Sequence, residues 1–98
     1  MASEQDIEQI KMIVYKRLAE HPVRIFLFGS HATGRARSSS DVDIAVLPET
    51  ELPTGLLSQV REDLEMSNVL YNVDLVDISK TDEAFRQRVL AEGVEWTV

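Results

Sequence analysis

Apolar residues return at helical spacing near the start of the chain. Ile7, Ile10, Val14 and Leu18 form one stripe with Ile13 beside it, while Glu4, Glu8 and Gln9 face away. The pattern predicts a helix over 4–20, capped by Ser3 with Asp6 three places on. It closes at His21-Pro22, because proline disfavours helical geometry in the residue before it. The period then changes. Val23–Phe28 is a β-branched and aromatic run of strand length, apolar on both faces and so expected to be buried on both. Gly29-Ser30 breaks the run. Residues 30–34 predict a single helical turn stopped by Gly34, and Arg35–Ser40 a polar loop.

Over 41–47 the chain alternates. Val42, Ile44 and Val46 point one way, and Asp41, Asp43, Ala45 and Leu47 the other, with Pro48 closing the strand. Leu56, Leu57, Val60 and Leu64 mark the buried side of a helix over 53–67. Pro53 sits near its first turn, and Arg61, Glu62, Asp63 and Glu65 form its wet side. Val73–Ile78 is a third strand, with Asp74, Val76 and Ile78 on one side and Val73, Leu75 and Asp77 on the other. Thr81 caps a last helix over 82–92 whose apolar face is Phe85, Val89 and Leu90, and Gly93 stops it. Residues 94–98 read as an extended tail. Trp96 is expected to pack on the chain's own core, with Val94, Trp96 and Val98 as a second candidate contact surface.

The order is helix, strand, helical turn, strand, helix, strand, helix. It implies an α/β (α+β) fold with a small mixed sheet, three-stranded or slightly larger, covered by helices. The 98 residues are expected to form one domain. A chain of this size buries roughly 60–70% of its unfolded surface, enough for one core. There is no cysteine, hence no disulfide and no thiolate metal site. No signal peptide and no apolar run of membrane-spanning length stand out, so the expectation is a cytoplasmic protein with no membrane partner. The formal net charge of −7 argues against broad nucleic-acid binding. The loop between Gly29 and Ser40 departs from that balance: it holds His31, Arg35 and Arg37 and no acid.

Asp41 and Asp43 are two positions apart in a predicted strand. Their side chains then leave one face with Cα atoms roughly 6.5–7 Å apart. Like charges that close repel unless a cation stands between them. All-oxygen ligation without His or Cys favours Mg²⁺ or Mn²⁺ over zinc. Asp74, among apolar residues of a strand expected to be buried, demands a partner, and joins them if the second and third strands run parallel and the first and second antiparallel. That arrangement also brings the Gly29-Ser30 turn to the same end. Asp77 points to the opposite face and is read as a strand-end residue. Gly29 lets backbone approach a phosphate closely, and Ser30 offers an N–H and a hydroxyl.

With those residues in place, the run GSHATGRARSSSDVDIAV resembles the signature of the DNA polymerase β-like nucleotidyltransferase superfamily. Within it the chain is similar to the minimal nucleotidyltransferase group, including MntA-type antitoxins. The stretch SNVLYNVDLVDISKTDEAFRQRVLAEGVEW resembles the small catalytic subunit of two-subunit nucleotidyltransferases. The resemblance runs from Val23 on. It implies Gly29 and Ser30 on a triphosphate, Asp41 and Asp43 on metal, and Asp74 as the third carboxylate. Gly34 and Arg35 complete the expected nucleotide-binding set. Many minimal members have Arg where this chain has Thr33; Arg35 or Arg37 is the candidate substitute.

The resemblance also implies a reaction: transfer of a nucleoside monophosphate, AMP from ATP foremost, to an acceptor hydroxyl with two metal ions between the acids. The acceptor is expected on a second chain, a helical-bundle HEPN-type protein in a hetero-oligomer, as in a toxin–antitoxin pair. Two alternatives stand beside it. One is a catalytically silent antitoxin or scaffold that acts by contact, which the three retained acids disfavour. The other is an enzyme adding nucleotides to RNA ends, which the acidic charge disfavours.

Overall fold

The computed structural model describes residues 3–34 and 41–96. Arg35, Arg37 and Val98 therefore lie outside the described residues. Helix α1 (Glu4–Leu18) begins where the sequence places it. The Ser3 hydroxyl accepts from the Asp6 N–H at 3.1 Å, and the Asp6 carboxylate accepts from the Ser3 N–H at 3.0 Å. Two orphan donors of the first turn are thus satisfied reciprocally. Acids in the first turn and Lys16 and Arg17 in the last follow the helix dipole.

Strand β1 (Val23–Phe28) leads into a four-residue helical turn α2 (Ser30–Thr33), then strand β2 (Val42–Pro48). Helix α3 (Leu56–Glu65), strand β3 (Val73–Asp77), helix α4 (Glu83–Glu92) and strand β4 (Val94–Trp96) follow. The sheet has four strands in the order β3-β2-β1-β4. β1 runs antiparallel to β2 and to β4, and β2 runs parallel to β3. The parallel pair is joined through α3.

Two apolar layers flank the sheet. On one face Ile25, Leu27, Val42, Ile44, Val46 and Leu75 pack against Ile10, Val14 and Leu18 of α1 and Val60 and Leu64 of α3. On the other, Phe26, Ala45 and Ile78 meet Val89 of α4, with Phe28, Val76 and Phe85 beside them. Each fully buried Leu, Ile or Val contributes roughly 1.5–3 kcal/mol relative to exposure. β1 is covered on both faces, as its composition requires.

Several boundaries differ from the sequence reading. The tail is a fourth strand: Ile25, Phe26 and Leu27 pair with Trp96, Glu95 and Val94. Trp96 is buried, and its carbonyl accepts from the Tyr15 hydroxyl of α1 at 2.9 Å. Val94 is half exposed. Helix α3 starts at Leu56 because Gly55 is left-handed (φ +84°), which no helical turn accommodates, and the Leu56 N–H closes a turn on the Pro53 carbonyl. The last helix is capped by Asp82, which accepts from the Phe85 N–H at 2.8 Å. The Thr81 hydroxyl instead donates to the Ile78 carbonyl. Among the described residues no helix is long and apolar enough to cross a membrane.

Candidate active site

β2 and β3 are parallel neighbours in a register that sets Asp43 directly beside Asp74. Alternation then places both on the α4 face, because Val42, Ile44 and Leu75 occupy the α1–α3 face. On the other side of β2, Asp43 pairs with Phe28, the last residue of β1. Gly29 follows immediately, so the turn arrives at Asp43. A Cβ built on Gly29 would stand 2.5 Å from Asp43 Oδ2, and Gly29 has φ +73°. Both the backbone conformation and the space exclude a side chain there.

Asp41 lies one residue before β2, exposed, and lines the same cavity as Asp43 and Asp74. That cavity is about 800 Å³ and is also bounded by Arg61, Tyr71 and Asn72. Asp74 is exposed on the edge strand, so it is not the buried acid its apolar neighbours suggested. Asp77 is on the other face and accepts from the Ser79 N–H and hydroxyl, apart from the carboxylate cluster.

Burial pushes the Asp43 carboxyl above its ordinary 3.8, and the charges of Asp74 and Asp41 push it further. His31 offsets part of this, while a hydrogen bond with Asp74 adds to it. The protein therefore holds a negative cluster that is costly to keep fully ionised. A hard divalent cation fits the donor set, which is all carboxylate oxygen. Among the described residues no group of three His, Asp or Glu is arranged to hold an ion as it stands. Asp43 and Asp74 are in hydrogen-bond contact, and Asp41 acts on Asp43 through its charge.

The turn has its own logic. The Ala32 and Thr33 N–H groups both bond the Gly29 carbonyl, at 3.1 and 3.2 Å. Among the described residues the Ser30 N–H and hydroxyl have no hydrogen-bond partner, and Ser30 lines a second cavity. The Gly34 N–H is committed to the Ser30 carbonyl, and Gly34 is left-handed at φ +76°. It ends the turn, and among the described residues it is not part of the lining of either cavity. Arg35, the other expected member of the nucleotide set, lies outside the described residues.

Sequence reasoning left His31 as a loop cation, whereas the structure buries it. Its Nδ1 stands 3.1 Å from the Asp41 carbonyl. A carbonyl only accepts, so Nδ1 carries the proton. This bond ties the Gly-Ser turn to the start of β2 and fixes Asp41 relative to Ser30. Arg61, read as a wet-side residue, borders the carboxylate cavity and donates to the Leu75 carbonyl at 2.8 Å.

A glycine-serine turn thus abuts carboxylates on adjacent strands of a mixed sheet. Residues 8–95 match the family model described as Polymerase beta, Nucleotidyltransferase, and the chain belongs to that family. It is a nucleotidyltransferase of the minimal type.

The chain is similar, at 33% identity over 92 residues, to a Methanocaldococcus jannaschii protein named as a candidate protein adenylyltransferase. That match spans 92% of this chain and 97% of the relative. It is 29% identical over 85 residues to a probable protein adenylyltransferase, MntA, of Haemophilus influenzae, spanning 84% of this chain and 75% of that one. A crystal structure of a toxin–antitoxin with AMP-PNP holds a chain that superposes with TM-score 0.68 at 30% identity. The alignment covers 88% of this chain and 72% of that one.

Proposed function

We propose that this nucleotidyltransferase moves AMP from ATP to a hydroxyl of a partner protein, a HEPN-type helical bundle, within a toxin–antitoxin pair. The observation that carries the chemistry is the Asp43–Asp74 pair in register beside Gly29. The similarity to protein adenylyltransferases and to a toxin–antitoxin chain supports the acceptor class.

In the proposed reaction the acceptor oxygen forms a bond to the α-phosphorus. The bond from that phosphorus to the bridging oxygen breaks, and pyrophosphate leaves with the electron pair. Asp43 and Asp74, joined by Asp41, are the residues to hold Mg²⁺, which would neutralise the charge building on the reacting oxygens. Asp74, exposed at the sheet edge, would take the acceptor's proton. Ser30 holds phosphate oxygens through its unspent N–H and hydroxyl, and Gly29 lets them approach. The contribution of the fold is positioning: parallel register sets the acids and the His31 bond sets the turn.

Ligand linkage supplies a test. Mg²⁺ with a nonhydrolysable ATP analogue at millimolar concentration raises the melting temperature of the wild type. No shift would remove the nucleotide from the reading and leave a partner-binding scaffold.

A further inference from the structure

Beside the carboxylate cavity lies a second one of about 350 Å³, and it receives the Ser30 side of the turn. The two share Phe28 and Phe85, whose rings meet edge to face with centroids 5.7 Å apart at 89°. The phenyl pair thus stands between a carboxylate side and a serine side. A molecule whose reacting phosphorus sat at Asp43 and Asp74 would have the smaller cavity within reach on the far side of this pair.

That smaller cavity has one cation among its described lining residues, Arg88 of α4. The α2 wall supplies none: Thr33 turns its hydroxyl onto the Gly29 carbonyl at 3.3 Å, and His31 Nδ1 faces the Asp41 carbonyl. The other described arginines are engaged. Arg17 grips Asp63, Arg24 grips Glu95, Arg61 donates to Leu75, and Arg86 donates to Ile78 and Glu83. Among the described residues Arg88 has no hydrogen-bond or ion-pair partner, although Glu92 lies one helical turn away along the same cavity wall. It is exposed, so its cation is not needed to hold the fold.

We propose that Arg88 binds the β- and γ-phosphates of the nucleoside triphosphate across the cavity from Ser30. The inference rests on the nucleotidyl-transfer reading and adds a residue from a different element to it. The planar guanidinium presents paired N–H donors that match phosphate oxygens bidentately. Phe28, Phe85 and Val89 make the cavity partly apolar, which strengthens a charge-assisted bond formed there. Ser30 and Arg88 then hold the leaving pyrophosphate from opposite sides, while the acids hold the reacting phosphorus. Arg88 becomes a leaving-group and triphosphate-selectivity residue, supplied by the helix that follows the last carboxylate strand.

The test is equilibrium binding of three probes, MgATP, inorganic tripolyphosphate and AMP, to the wild type, Arg88→Ala and Arg88→Lys. The expected result is a loss of about tenfold or more for MgATP and tripolyphosphate in Arg88→Ala, the size of one charge-assisted contact. Arg88→Lys falls between, and AMP affinity does not move. Unchanged melting temperatures in both variants keep a folding defect out of the comparison. Equal MgATP affinity in wild type and Arg88→Ala overturns the role of Arg88 and leaves the nucleotide reading standing. An equal loss for AMP and ATP also overturns it, by placing Arg88 on the nucleoside or the α-phosphate. A wild type that binds neither MgATP nor tripolyphosphate overturns both readings together.

Discussion

Asp43 is the residue on which the site turns, and its ionisation should be visible without any substrate. Its native carboxyl is raised above 3.8, first by burial and then by Asp74 and Asp41. Between 3.8 and the raised value the native state keeps a proton that the unfolded chain has lost. Stability contributed by this group is therefore complete below 3.8 and lost as pH rises through the native value. Asp43→Asn removes the penalty, so the metal-free variant melts higher than wild type at pH 7, and the difference shrinks towards pH 4. Calorimetry at the two pH values checks this; a variant that melts lower at pH 7 would contradict it. Gly29→Ala acts at the neighbouring position through two costs, a positive φ and a collision with the Asp43 carboxylate. Denaturant unfolding should show a loss of about 1–3 kcal/mol, the size of comparable backbone strain.

At the scale of elements, periodicity carried most of what was legible. The alternation over 41–47 assigns Asp43 to the face opposite Val42 and Ile44. The same rule assigns Asp74 opposite Leu75, and the register confirms the pairing. Less visible was anything decided by one residue or by a distant partner. Thr81 and Asp82 are both capping types, and only the extended conformation of Asp82 (φ −67°, ψ 161°) shows which of them opens α4. A three-residue strand such as Val94–Trp96 has too short a pattern to announce pairing; its stability comes from β1 and from Tyr15 of α1. Asp74 looked buried because its neighbours along the chain are apolar, but edge position in the sheet is a property of topology. Arg88, next to Val89 on a helix, reads as ordinary solvent charge until the cavity beside Ser30 is seen. Asp82→Ala, which deletes the α4 cap, should lower stability by about 1 kcal/mol in urea titration without altering the sheet. A neutral substitution would mean that α4 is fixed by Phe85 and Val89 packing alone.

For the whole molecule the arrangement is three layers, with α1 and α3 on one sheet face and α4 on the other. Two cavities share Phe28 and Phe85: one is lined by the acids and by Arg61 and Leu64 of α3, the other by the Gly-Ser turn and Arg88 of α4. The α1–α3 side is packed tightly enough to hold the register of β2 and β3, and that register is what keeps Asp43 and Asp74 adjacent. Under the proposed function, a net charge of −7 calls for a local site instead of a basic surface to draw in the nucleotide. The most direct test is the intact mass of a HEPN-type partner protein, after incubation with MgATP and either wild type or Asp43→Asn. The prediction is a gain of one or more AMP units with wild type, and a rate below about one per cent of that with the variant. Equal labelling by the two proteins, or none by either, would contradict the assignment of the carboxylate pair to catalysis.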